Sequence, residues 1–166
     1  MSEKTQQNLV YAFAAESKAS ARNMAFALKA EQDGYPQLAH LFRAVSDAES
    51  VHARRYLLSM RGKIGSTQEN LETACLSEKK ASTEEYPRLI KDADEEGFRQ
   101  VKKAFSHSRD ADAEHARLFE KAMEENFEKG ETEYYVCQIC GYISEDHVPE
   151  NCPVCHAVKG RFKLVM

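Results

Sequence analysis

Long apolar runs are missing from this chain, as are basic clusters. No stretch approaches the roughly 20 apolar residues that span a bilayer, and the opening Met-Ser-Glu-Lys-Thr-Gln-Gln lacks the charged-then-apolar layout of a signal peptide. A cytoplasmic protein with no membrane partner is therefore expected. The net charge is -4 and no Lys/Arg block is present, which argues against nucleic acid as a partner. Glycine and proline are also scarce, with seven and four copies among 166 residues, and they gather at a few punctuation points. Five cysteines form an odd set for a disulfide framework, and four of them stand in two Cys-x-x-Cys pairs, which points to metal in a reducing compartment.

What is present is helical. From about Gln6 to Phe127 the chain is rich in Ala, Leu, Glu, Lys and Arg, with apolar residues at helical spacing. The pattern predicts four long helices near 5–32, 36–61, 67–96 and 98–128. Asp33-Gly34 forms the first turn and Pro36 stands in a tolerated first-turn position, whereas Pro87 should kink or interrupt the third helix. Phe13, Leu41, Phe42, Phe105 and Leu118 read as packed core.

A metal-ligand pattern is written twice over this region. Glu16 is followed by Glu49-x-x-His52, and Glu78 by Asp112-x-x-His115. Asn8-Leu9 and Asn70-Leu71 precede their glutamates by the same eight-residue step, and Glu16-Ser-Lys-Ala-Ser20 is echoed by Glu78-Lys-Lys-Ala-Ser82. Gly34/Gly97, Phe42/Phe105, Ala53/Ala116 and Arg54/Arg117 keep the register, so each half reads as one helical hairpin. Residues three apart share a helix face and can approach one cation together. Four carboxylates and two imidazoles from four helices suit two divalent ions, with iron or manganese favoured by the mixed oxygen and nitrogen donors. His40, His107, His147 and His156 fall outside the register and are not taken as ligands. Cys75 stands three residues before Glu78, where the first repeat has Phe13, and should point inward as a small hydrophobe.

The polar, glycine-bearing stretch Glu128–Glu133 reads as a linker, giving a helical domain over 1–130 and a second domain over 134–166. The second is too small to fold without a metal. Cys137-x-x-Cys140 and Cys152-x-x-Cys155, with 11 residues between the pairs, let two knuckles face one another in a tetrahedral four-sulfur site that accepts iron or zinc. Tyr135, Tyr142 and Phe162 are candidates for its aromatic shell.

These residues together resemble the rubrerythrins, in which a ferritin-like di-iron four-helix bundle is fused to a rubredoxin-type domain. The resemblance rests on Glu16-Ser-x-Ala, Glu49-x-x-His52-Ala, the Asn70-Leu71 lead to Glu78, Tyr86-Pro87, and the Val-Cys-x-x-Cys-Gly-Tyr and Cys-Pro-x-Cys ending. It implies a mainly α fold with a small β domain, two irons on Glu16, Glu49, His52, Glu78, Asp112 and His115, a nearby Tyr86, and one iron on Cys137, Cys140, Cys152 and Cys155. The implied activity is reduction of hydrogen peroxide to water, with electrons arriving from rubredoxin or an NAD(P)H-dependent reductase, in oxidative-stress defence. A ferroxidase or oxygen-reducing role and a non-catalytic zinc-binding module are the competing readings.

The chain departs from that family pattern at several places. Ala81 stands where a second glutamate is usual, which removes an alternative iron ligand and favours iron staying on His52. Asp112 is one methylene shorter than the usual glutamate, Asn23 replaces a tyrosine, and His156 follows Cys155 where glycine is usual, at a place suited to positive φ. In a ferritin-like bundle the second and third helices run parallel, yet Arg61–Ser66 extends at most about 20 Å, too short to return along a helix. A domain-swapped homodimer is the expected solution, an up-down-up-down monomer the competing one, and the rubredoxin-type domain is expected to dock on a partner subunit.

Overall fold

A computed structural model describes residues 1–125 and 131–166. Its helices are α1 (Glu3–Gln32), α2 (Pro36–Ser59), α3 (Thr67–Lys80), α4 (Tyr86–Glu95) and α5 (Arg99–Glu124). The expected fold class holds in outline: the chain is mainly α, with a small strand module after it. Helix boundaries fall within a few residues of expectation. The predicted end of the fourth helix at 126–128 and the first three residues of the predicted linker lie outside the described residues.

The chain divides into two compact units, Met1–Ser66 and Thr67–Met166. In the first, α1 packs on α2 as an antiparallel hairpin whose contact face is lined by small residues, with Ala27, Ala30, Ala39, Ser46 and Ala53 buried. Small side chains let the helices approach closely enough for reciprocal hydrogen bonds: Ser20 Oγ donates to the Ser46 carbonyl and Ser46 Oγ to the Ser20 carbonyl, both at 2.9 Å. A two-helix hairpin has only one internal face. Leu41, expected in the core, is accordingly 58% exposed, and Tyr11, Phe26 and Leu28 also lie open. Phe13, Phe42, Phe105 and Leu118 are half-buried.

In the second unit α3 and α4 both pack on α5. The third helix is interrupted, just ahead of Pro87. Between α3 and α4 the chain makes a π-helical turn, Ala81–Glu85, in which the Tyr86 N–H donates to the Ala81 carbonyl five residues back. The cause lies in the repeat. Eighteen steps separate Glu16 from Gly34, but nineteen separate Glu78 from Gly97. A π turn holds one residue more than an α turn, so it absorbs the insertion and lets both hairpins turn alike. The two turns do match: Tyr35 N–H reaches Ala30 O and Phe98 N–H reaches Ala93 O, with Gly34 and Gly97 at φ 82° and 78°. Such positive φ values are routine only for glycine.

The C-terminal module is a three-stranded antiparallel sheet of β1 (Tyr134–Cys137), β2 (Ile143–Glu145) and β3 (Phe162–Leu164), in the order β2-β1-β3. It leaves Cys137 and Cys152 as the largest fully buried side chains. An apolar core this small cannot offset the cost of ordering the chain, which is why a metal is needed to hold it. Among the described residues, no helix is long and apolar enough to cross a membrane.

Candidate metal centres

The six predicted helical ligands gather as two triads, one in each unit. In Met1–Ser66, α1 supplies Glu16 and α2 supplies Glu49 and His52; in Thr67–Met166, α3 supplies Glu78 and α5 supplies Asp112 and His115. Within each triad one ligand atom per residue lies within 4.8 Å of the others. His52 Nδ1 is 2.9 Å from Glu49 Oε2 and 3.9 Å from Glu16 Oε1. His115 Nδ1 is 3.6 Å from both Glu78 Oε2 and Asp112 Oδ1. In both triads, therefore, Nδ1 is the nitrogen turned toward the carboxylates, and the short Asp112 side chain still joins its triad.

The chemistry of these donors fits cations. Burial, reinforced by the neighbouring Glu78 carboxylate, raises the pKa of Asp112, and the opposing pull of His115 does not cancel it. Two carboxylates facing each other in a partly desolvated site are unfavourable until a positive charge comes between them.

His115 carries a further contact that local sequence does not reveal. Its Nε2 lies 2.9 Å from the carbonyl oxygen of Gly141, in the first cysteine knuckle. A carbonyl can only accept, so Nε2 holds the proton and Nδ1 is left with a lone pair toward Glu78 and Asp112. A carbonyl that fixes the tautomer and orientation of a ligating imidazole is the usual outer partner of a metal histidine. The module thus docks on α5 of its own chain. Gly141, Lys121, Arg117 and Glu145 make this junction from positions up to 28 residues apart, too far for helical or strand periodicity to show.

The four cysteines converge as predicted. Cys137 Sγ is 3.7 Å from Cys155 Sγ, and Cys140 Sγ is 3.5 Å from Cys152 Sγ. A tetrahedron with metal–sulfur bonds of about 2.3 Å has edges near ~3.8 Å, so these contacts match a site that needs little rearrangement to close on an ion. The knuckles are alike: Gly141 N–H donates to Cys137 O and His156 N–H to Cys152 O, each at 2.9 Å. Both residues adopt the left-handed conformation, His156 at φ 62°. Burial pushes the Cys140 and Cys155 thiols up; at Cys137 burial also acts upward but is outweighed by N–H groups of Ile139 and Cys140, which lower it. Tyr142 and Phe162 meet edge to face beside the knuckles at 6.5 Å, whereas the Tyr135 hydroxyl donates to Glu133.

Tyr86 begins α4 with its ring 6.2 Å from Phe105 of α5 and belongs to neither triad. Asn23 donates to Ala19 O, and Cys75 is buried with its thiol toward Ala116 O. Among the described residues, His40, His107, His147 and His156 join no metal-binding group.

In the second unit a cavity of about 510 Å³ opens beside Glu78 and His115. Leu71 of α3, Leu118 and Phe119 of α5, and Tyr134, Val136 and Ile143 of the sheet line it.

Residues 7–67 match the family model described as rubrerythrin, and residues 135–163 match that described as the rubrerythrin rubredoxin-like domain. A rubrerythrin of Porphyromonas gingivalis is 34% identical, the match covering 92% of this chain and 85% of the relative. Rubrerythrin-1 of Clostridium acetobutylicum is 32% identical over 98% of this chain and 94% of its own. A solved structure of nigerythrin in a partially reduced state superposes with a TM-score of 0.60 at 29% identity, covering 97% of this chain and 86% of that one.

Proposed function

Because the chain belongs to the rubrerythrin family, whose two-iron carboxylate/histidine site and four-cysteine site its donors fit, we propose that it is a non-haem di-iron peroxidase. In this reading it reduces hydrogen peroxide to water, with electrons relayed through the four-cysteine iron. Bound iron supplies the redox chemistry, two electrons for each peroxide. Residues 1–130 are assigned the di-iron function and residues 134–166 the electron supply.

Glu16, Glu49, His52, Glu78, Asp112 and His115 are assigned as di-iron ligands, and Cys137, Cys140, Cys152 and Cys155 as ligands of the single iron. Tyr86 is assigned to the catalytic set by its match to the family pattern. The contact of His115 Nε2 with Gly141 O is the observation that carries the relay, since it links one ligand triad directly to a cysteine knuckle. The partner is an NAD(P)H-linked reductase or rubredoxin, and the setting is oxidative-stress defence in the cytoplasm.

A domain-swapped dimer would complete the site. Each triad contributes only one imidazole, and the apolar cavity beside Glu78 and His115 has the character of a groove for a second copy's α1–α2 hairpin, which carries the matching triad and an open apolar face.

Ala81 favours a second reading, reduction of oxygen or oxidation of ferrous iron, because the extra carboxylate of the family is absent there. One experiment separates the two. The iron-loaded protein is fully reduced without air and mixed rapidly with peroxide or oxygen while the visible absorption of the four-cysteine iron is followed. Fast recolouring with peroxide and slow recolouring with oxygen is expected; the opposite order would make it an oxygen-using enzyme, and no response to either would remove the relay.

A further inference from the structure

The junction between the C-terminal module and α5 is held by charge. Lys121 Nζ donates to both carboxylate oxygens of Glu145, at 3.0 and 2.8 Å, and Arg117 Nη2 lies 3.6 Å from the same carboxylate. Glu145 is 16% exposed and Lys121 31%, so water and salt screen the pair less than an open surface pair. Arg117 is itself steadied by Glu114, to which its Nε and Nη2 donate at 3.0 and 2.7 Å.

Gly141 and Glu145 lie at the two ends of the segment that leaves the first knuckle and forms β2. Among the described residues the module therefore meets α5 through two tethers, the His115–Gly141 hydrogen bond and the Glu145 ion pairs. One point alone leaves a hinge, whereas two stop the module from swinging. Charge-assisted hydrogen bonds are roughly twice as strong as neutral ones, so the ion pairs are the firmer of the two tethers.

We propose that Glu145 is a positioning residue, whose ion pairs with Lys121 and Arg117 hold the module in the one orientation that presents the Gly141 carbonyl to His115. Its functional consequence rests on the relay reading above, but docking is measurable without any redox-active metal.

The test uses full-length protein loaded with zinc, and compares the rotational correlation time of residues 134–166 with that of α5 by 15N relaxation. In the wild type at low salt the two should agree. In Glu145→Gln the module should tumble faster, its docked-to-released ratio falling by about tenfold or more. Salt of about 0.5 M should reproduce part of this loss in the wild type. Lys121→Gln attacks the same pair from the helix side and covers the case in which Glu145→Gln disturbs the module's own fold. Recovery of common tumbling in the exchanged pair Lys121→Glu with Glu145→Lys would support the proposal. Unchanged tumbling in both single variants at low salt would overturn it. If the iron-loaded wild type ignores peroxide, the relay reading falls while the docking result stands; if it responds and both variants stay docked, only the positioning role falls.

Discussion

The two ligand triads have nearly the same residues at the same helical spacing, yet they are not equivalent. His52 is 47% exposed, and the helix that carries Glu16 runs unbroken from Glu3 to Gln32. His115 is 20% exposed, has its Nε2 proton committed to Gly141, and faces a helix that passes into a π turn three residues beyond Glu78. Duplication alone would have produced two matching half-sites. The difference comes from two additions to the second copy, a single inserted residue and a metal module attached after α5. One triad is thereby tied to a cysteine knuckle while the other is left open to solvent or a partner.

The largest effect should come from removing one of the proposed di-iron ligands. Glu49→Ala is expected to abolish di-iron loading and peroxide reduction while leaving the four-cysteine centre intact, as checked by iron content, the four-cysteine absorption and turnover. Unchanged peroxidase activity would remove the ligand assignment.

A sharper probe of the asymmetry is to compare the two imidazoles. His52→Ala and His115→Ala each delete one nitrogen donor, but only the second also deletes the contact to Gly141. Oxidation of the four-cysteine iron after mixing with peroxide should therefore be slower in His115→Ala, by about tenfold or more beyond the loss in His52→Ala. Equal losses in stopped-flow traces would mean that the triads are functionally alike.

The smallest effect concerns charge in the second triad. Burial and Glu78 raise the folded-state pKa of Asp112, so the folded chain binds that proton more tightly than the unfolded chain. An ionised Asp112 therefore costs stability at pH above its folded pKa, and the cost fades as pH falls through that value toward the unfolded one. Metal-free Asp112→Asn should melt at a higher temperature than the metal-free wild type near neutral pH, with the gap narrowing on acidification. A gap that widens in acid would contradict the burial argument.

Much of this was legible in the chain itself. The Glu-x-x-His spacing is a local helical relation, so Glu49/His52 and the Asp112/His115 pair could be read without coordinates, and the repeat placed Glu16 and Glu78 beside them. The two Cys-x-x-Cys pairs are just as local, because each knuckle is closed by hydrogen bonds over four or five residues. Even the positive φ at His156 follows from its match to Gly141. Leu41 shows the limit of such reading: helical periodicity identifies an apolar face but not the surface that will cover it, and within the α1–α2 hairpin that face is open.

The amino-acid sequence by itself thus determined the ligand types, their grouping on helices and the need for metal in the C-terminal module, since each rests on contacts between near neighbours. Only the tertiary structure decided that the inserted residue becomes a π turn, that His115 gives its second proton to Gly141, and that Lys121 and Arg117 hold Glu145. The contacts of His115 and Glu145 join α5 to the C-terminal module, where no periodicity connects one residue to the other and the packed chain alone selects the pair.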